Sequence, residues 1–459
     1  MTSGDPADIR PLVSRLMAGP ADPARIFGLP HTPYGALYDK AARLRRALDE
    51  VMAASGPDTR PVCLCTTDRM ATTAALLATL AGGPALVMPH AHSETVLAEL
   101  HRLIHFDLAI VDRAHPLPPG TRGIDLTALE PGAKDLASAP PLAPDSPWVH
   151  LFTGGSTGTP QLWTKTVCNL LGEAAYLQKA FAVSAGDRIL TTSPPYHIYG
   201  LLYSVLVPLL ANAGVMTDTP AFPGELAAAV KKETPTILVT VPAYYRTLKN
   251  HLAGKSRLRM AFSSASPLAD SDADAFRQAT GVPIYDVYGS TETGGLAAQC
   301  RATGETGYTP FACVDLQVHN ERLWVRSDFL SPQLPVNEQG YFEAADRVTD
   351  CQDGTFTVIG RADGVIKVGG KRVDMAAIQA RLLELEAVRD ALVFARPTAT
   401  GRGNEILALV ETDRPGADIK RELGANLETH ARPRVIRTVT KMPVTHTGKY
   451  DRQAIARLF

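Results

Sequence analysis

The sequence predicts an α/β protein built from a large layered domain followed by a small α+β domain. Three observations predict it. Helical and strand-like runs alternate over about the first 300 residues, which argues for a largely parallel sheet. Beyond that point the texture changes to short alternating runs split by Gly and Asp, as in antiparallel hairpins. The length of 459 residues leaves room for two or three domains of roughly 150 each.

The elements come in order. Residues 34–55 have a helical period, and "RPVCLCTT" at 60–67 has the length and apolar character of a buried strand. Residues 68–83 read as a helix, 84–90 as a strand, 94–106 as a helix and 107–112 as a strand. Residues 116–147, rich in Pro, Gly and Asp, read as a connector. The alternation resumes with "GDRILTTSP" and "TPTILVTVPAYYRTL". "LQVHNERLWVRSD", "GYFEAADRVT" and "GTFTVIGRADGVIKVGGKRVD" predict hairpins. After 374 come a helix in "MAAIQARLLELEAV", strands in "RDALVFARP" and "EILALVETD", and a helical piece near 418–430. The domain boundary is expected near 360–364, giving domains at 1–360 and 361–459.

A net charge of −1 gives no electrostatic footprint for nucleic acid. The N-terminal stretch carries Asp and Pro early and no apolar core, so no signal peptide is expected. The apolar run at 71–88 is broken by Gly-Gly-Pro and makes a poor bilayer span. The six cysteines include no CxxC pair. Cys63 and Cys65 fall on one face of a strand, which predicts reduced, packed thiols in a cytoplasmic protein.

"LFTGGSTGTPQLWTKT" at 151–166 holds the densest signal. Residues Thr153, Gly154, Gly155, Ser156, Thr157, Gly158 and Thr159 are all small or hydroxylated. Such a run is either a mobile hairpin linker or a loop whose backbone N–H groups wrap an anion. It lacks the spacing and the lysine of a Walker loop, and "QLWTKTV" after it alternates like a strand. The loop is therefore expected to join two strands, with a helix from about Asn169.

Three further segments lie downstream in order: "VYGSTETGG" at 287–295, "GRADGVIKVGGKRVD" at 360–374 and "PVTHTGKYDR" at 443–452. The four together resemble the adenylate-forming superfamily of acyl-CoA synthetases, adenylation domains and luciferases, over most of the chain from about 150 onward. The resemblance implies a large AMP-binding domain of layered α/β with a distorted barrel, and a small mobile C-terminal domain. It implies ATP and Mg²⁺ as cofactors, and CoA or the phosphopantetheine of an acyl carrier protein as thiol acceptor.

Residue roles are carried over from the same resemblance. Lys449, in a match to P-x-T-x-x-G-K-x-x-R, would reach the substrate carboxylate and the α-phosphate; an ammonium there cancels repulsion between two anions. Glu292 would bind Mg²⁺, and Thr291 the α-phosphate. Tyr288 would stack on adenine and Asp286 would accept from its amino group, within the turn that also holds Val287, Gly289 and Ser290. Asp346, in an Ala344-Ala345 frame where the family usually has Thr-Gly, would grip the ribose together with Arg361. Asp363 matches the hinge position. Lys367, Gly370 and Arg372 match a hairpin that lines a pantetheine channel, with Gly370 leaving room for the thiol.

The acid pocket is expected from His197, Tyr199, Gly200, Val241, Tyr244 and Ser264; Ser264 and Ala265 match the family segment whose backbone meets adenine on one side and the acid on the other. The stretch "VTVPAYY" carries no charge to hold an α-amino group, which points to an aryl or acyl acid. His197 reads either as a core histidine or as a donor to the acid. Gln161 stands where the family has a lysine; Lys165, four residues on and of the same parity, is expected to substitute only in part. The function implied is ATP-dependent activation of a carboxylic acid to an acyl-adenylate, then transfer to a thiol. The alternative is a nucleotide-binding regulatory or scaffold homologue with impaired chemistry.

Overall fold

A computed structural model describes all residues except 1–7, 56–59, 132–134, 154–160, 249–255, 267, 302–304, 306, 352, 362–364, 369–370, 399–402, 426 and 444–451. Two large sheets dominate it. One has six strands in the spatial order 122–125, 108–111, 62–65, 86–88, 147–153 and 161–166, parallel except for the last pair. The other has nine. Its centre is five adjacent parallel strands: Ile284–Ser290, Met260–Ser263, Ile237–Val239, Arg188–Thr191 and Gly214–Met216.

The two-residue period of the strands sorts their side chains into layers. Val62 and Leu64 face inward to a core shared with Ile189, Val239 and Phe262 of the other sheet. Cys63 and Cys65 face the opposite way, onto Leu97 and Leu100 of helix Glu94–Leu103, with their sulfurs 3.6 Å apart. Leu190, Leu238 and Ile284 face an outer layer of helices through Leu226, Tyr245 and Phe276. The order is thus helix, sheet, helices, sheet, helices. Helix Arg69–Leu80 lies in the middle layer with every residue buried; its Ala, Leu and Met side chains pack all round, and the hydroxyls of Thr72, Thr73 and Thr79 donate back to carbonyls of the preceding turn. Asp68 caps it by accepting from the Ala71 amide at 2.6 Å.

The expected connector at 116–147 is not wholly irregular. Arg122–Asp125 pairs in parallel with Leu108–Val111 and extends the sheet. Only Ile124 of the four is buried, so no hydrophobic pattern marks it. The strand–loop–strand reading of 147–166 holds: Pro147–Thr153 and Gln161–Thr166 are antiparallel, with Thr153 opposite Gln161. Helix Val167–Ala180 comes next, closed by a capping box between Thr166 and Asn169.

After residue 310 the predicted hairpins appear. Strands Asp315–His319, Arg322–Arg326, Phe342–Cys351 and Thr355–Arg361 form a four-stranded antiparallel sheet, bridged to the edge of the large sheet by Tyr308 and Phe356. Val365–Val368 and Lys371–Asp374 form the next hairpin. From there on a separate core forms, in which Val373, Ile378, Ala391, Ala408 and Ile419 meet. The strand Val435–Val439, which the sequence pattern does not announce, pairs in parallel with Asn404–Glu411. Helix Arg452–Ala456 brings Ile455 against the other face of that sheet.

Candidate active site

Parallel strands open their carboxyl ends onto one edge, where ligands of such sheets bind. Four of the predicted segments leave from that edge. Arg188–Thr191 leads to Tyr196–Gly200, Ile237–Val239 to Val241 and Tyr244, Met260–Ser263 to Ser264 and Ala265, and Ile284–Ser290 to Thr291 and Glu292. The strands are neighbours in register, with Thr191 opposite Val239 and Ser263 opposite Asp286. Segments up to about 100 residues apart in sequence therefore converge for a topological reason.

The turn after Ile284–Ser290 is tightly specified. A Cβ on Gly289 would lie 2.3 Å from the Gly294 carbonyl oxygen, so only glycine lets the two arms meet. The Ser290 and Thr293 hydroxyls are 2.9 Å apart, and each accepts from the other residue's amide. The Glu292 carbonyl accepts from the Ser331 amide at 2.8 Å and from the Lys165 ammonium at 3.1 Å. The Glu292 side chain is 14 % exposed; its Oε2 is buried with no hydrogen-bond partner among the described residues, and its Oε1 lies 3.7 Å from the Arg372 guanidinium. Arg372 thus reaches from the 365–374 hairpin to the predicted metal carboxylate.

Lys165 corrects an expectation. The face of Gln161–Thr166 that is exposed at Gln161 is fully buried at Lys165, because the strand runs from the loop into the seam beneath the 292–295 turn. Lys165 also donates to the Phe329 carbonyl at 2.8 Å. It does not substitute at the loop for the missing lysine. Thr153, at the loop's start, accepts from the Trp163 indole.

On the nucleotide side, the Tyr288 hydroxyl donates to Asp346 at 2.7 Å. Asp346 lies directly across the strand pair from Arg361, so the two expected ribose contacts are register partners. Tyr288 packs edge-on against Phe356 and beside Tyr308. The Asp286 carboxylate, almost wholly buried, accepts from the Tyr308 hydroxyl at 2.9 Å and pairs with Arg301 at 3.2 Å. Its side chain therefore serves the strand edge rather than standing open for an adenine amino group. Ser264 donates to the Val287 carbonyl at 2.8 Å, tying two strand ends together. Ala265 next to it has φ 75°, a left-handed backbone that favours glycine.

On the acid side, a Cβ on Gly200 would sit 2.0 Å from the Pro194 carbonyl oxygen; the bare glycine lets the 193–197 loop fold back on the helix it precedes. That helix widens into a π-turn over Leu202–Leu206, where Pro208 has no N–H to donate to Ser204. His197 is open to solvent, yet the protein atoms around it, then the neighbouring His90, hold its pKa below the usual imidazole range. Tyr199 donates to the Thr240 carbonyl. Tyr244 turns away, its hydroxyl donating to the Ala221 carbonyl at 2.8 Å, and braces that segment.

Sequence reasoning missed three charged residues here. Arg69 and Glu173 are fully buried, and Arg301 holds Asp286. Glu173 was detectable as a lone charge inside an apolar helical run, whereas Arg69, the first residue of its helix and next to Asp68, carried no such signal. Of the predicted residues, Gly154, Gly155, Ser156, Thr157, Gly158, Thr159, Asp363, Gly370 and Lys449 lie outside the described residues, as do the side chains of Arg361 and Lys367.

Comparison with known proteins matches residues 16–340 to the AMP-binding enzyme family and residues 377–449 to the AMP-binding enzyme C-terminal domain. The chain is 25 % identical over 382 residues to a 3-hydroxybenzoate–CoA ligase of Aromatoleum sp. (strain CIB), covering 74 % of this chain and 72 % of the relative. It is 27 % identical over 470 residues to a p-hydroxybenzoic acid–AMP ligase of Mycobacterium tuberculosis, covering 92 % of this chain and 65 % of that one. In fold it is similar to an o-succinylbenzoate CoA synthetase of Bacillus subtilis (TM-score 0.76, 18 % identity, 95 % and 96 % of the two chains). It is likewise similar to an amide bond synthetase of Marinactinospora thermotolerans (0.75, 21 %, 97 % and 99 %). Fold, converging strand ends and both matched regions agree: the chain belongs to the AMP-binding enzyme family of adenylate-forming ligases.

Proposed function

We propose that this protein joins an aromatic carboxylic acid of the hydroxybenzoate type to a phosphopantetheine thiol, at the expense of ATP. The acid's carboxylate oxygen attacks the α-phosphorus, a P–O bond forms, and pyrophosphate leaves with the α–β bridging oxygen. The thiol sulfur then attacks the acyl carbonyl of the adenylate, its proton goes to solvent, and AMP leaves. The observation that carries this reading is the Glu292 carboxylate: it sits at the converging strand ends with one oxygen unpartnered among the described residues and the other facing Arg372 of the 365–374 hairpin. The activities for which the two hydroxybenzoate relatives are named support the choice of acid.

The residues would divide the work. Tyr288 offers a face for adenine, while Asp346 and Arg361, opposite one another, hold the ribose. Residues 153–159 wrap the outer phosphates with backbone amides and hydroxyls. A buried, unpartnered carboxylate oxygen suits a hard cation, so Glu292 would hold Mg²⁺, which neutralises phosphate charge. Thr291 donates at the α-phosphate. Lys449 would stabilise charge as the carboxylate and the α-phosphate meet. His197, largely neutral at pH 7, donates to the acid.

The domains divide at 360–364, and Asp363 serves as the hinge. The hairpin's contact with Glu292 supports a thiol route lined by Lys367, Gly370 and Arg372. Phosphopantetheine is common to CoA and an acyl carrier protein. Among the described residues no helix is long and apolar enough to cross a membrane; we assign the protein to the cytoplasm, where ATP and reduced thiols meet. The test is ATP–pyrophosphate exchange over a panel of hydroxybenzoates and fatty acids, followed by product mass with CoA and with holo carrier protein. Exchange that depends on a hydroxybenzoate and a thioester mass in one acceptor arm are expected. No exchange with any acid would contradict the reading.

A further inference from the structure

Two buried charges stand behind the 292–295 turn, and neither touches nucleotide or acid in the scheme above. The Lys165 ammonium donates to the carbonyls of Glu292 and Phe329 at 3.1 and 2.8 Å. Glu173, 2 % exposed, accepts from the Gly295 amide through Oε1 at 2.6 Å. Its Oε2 lies 2.6 Å from where a Cβ on Gly294 would be, so the carboxylate packs against the bare glycine. A cation therefore grips the carbonyl at the start of the turn, and a carboxylate grips the amide at its end.

Burial pushes the Lys165 pKa down and the Glu173 pKa up, and the attraction between the two charges opposes both shifts. Burying two charges carries a large desolvation cost, and apolar residues of the same volume would fill the seam without it. What apolar residues cannot supply is a donor for the Glu292 carbonyl and an acceptor for the Gly295 amide. The Ser331 amide completes the hold on the Glu292 carbonyl at 2.8 Å. The backbone of Glu292 is thus locked from behind, while its carboxylate keeps one unpartnered oxygen in front.

We propose that Lys165 and Glu173 are a positioning pair, acting through the 292–295 turn to set the Glu292 carboxylate for a magnesium-bound nucleotide. The proposal rests on the nucleotide reading above. It is tested by calorimetric binding of ATP, with and without Mg²⁺, to the wild-type protein, Lys165→Met and Lys165→Met/Glu173→Gln. Lys165→Met should weaken binding about tenfold with Mg²⁺ and less than about twofold without it. The double variant removes the stranded buried carboxylate charge, so it should recover the melting temperature but not the Mg²⁺-dependent affinity; it also carries the test if the single variant fails to fold. A double variant that binds Mg·ATP like wild type overturns the proposal, and so does an equal loss with and without Mg²⁺. Wild-type protein that binds ATP equally well in both conditions contradicts the nucleotide reading itself, and the proposal falls with it.

Discussion

Arg69 and Lys165 are both fully buried cations, one on a helix and one on a strand, and the fold treats them differently. Arg69 meets neutral acceptors throughout: the Ser204 hydroxyl at 2.9 Å, the carbonyls of Met216, Thr217 and Ser193 at 2.9, 3.2 and 3.3 Å, and the Thr219 hydroxyl at 3.2 Å. Burial lowers its pKa to about 10, so it stays charged at neutral pH. A delocalised guanidinium with five donors is suited to such a site. Lys165, a compact point charge, donates to two carbonyls and has Glu173 and Glu292 in its field. The guanidinium clamps the loops after Arg188–Thr191 and Gly214–Met216, on the acid side. The ammonium clamps a single turn on the phosphate side. The difference separates a charge used as a many-armed staple from a charge used to aim one carboxylate.

Removing the staple should have the largest effect. Arg69→Met leaves three backbone carbonyls and two hydroxyls without their donor, and should cost more than about 3 kcal/mol of stability. Thermal unfolding would show it as a strongly lowered midpoint, with Mg·ATP affinity little changed wherever the chain is folded. Preserved stability would mean that neighbouring groups or water replace the guanidinium. The Lys165→Met loss comes next, smaller in stability and specific to Mg²⁺.

The smallest effect belongs to His197, which the Arg69 clamp positions through Ser193. His197→Ala should raise the Michaelis constant for the acid by about threefold to tenfold and leave that for ATP unchanged. Because its pKa is lowered, the neutral imidazole dominates at pH 7. The wild-type acid constant should then be flat from pH 7 to 8 and change only below the ordinary imidazole value of about 6.5. A titration at or above that value would contradict the lowered imidazole.

Much of the fold was legible in the sequence, for a physical reason. Short apolar strand runs and longer apolar or amphipathic helical runs differ in length and period, so the alternation to residue 300 and the hairpins beyond it read correctly. The segments at 196–200, 241–244, 264–265 and 291–292 meet because each follows a parallel strand, and parallel pairing brings those strand ends to one edge. Arg122–Asp125 was missed because sheet pairing, rather than an apolar face, makes it a strand. Val435–Val439 was missed because Arg437 and Thr438 are exposed on a strand held by its neighbour. Lys165 was misread because parity assigns a face but not a depth: Gln161 and Lys165 share a face, and only the second lies under another element. Glu173 carried a weaker signal, a carboxylate inside "LLGEAAYL", which has meaning only once the helix is known to pass beneath Gly294 and Gly295.

The central claim is that one active site activates an acid with ATP and then hands it to a thiol, with Lys449 serving the first half-reaction alone. The measurement that tests it most directly compares wild type with Lys449→Ala in acid-dependent ATP–pyrophosphate exchange and in thioester formation from a supplied acyl-adenylate. Exchange should fall by about a hundredfold or more in the variant while transfer from the adenylate persists. Exchange at the wild-type rate, or loss of both half-reactions together, would contradict the claim.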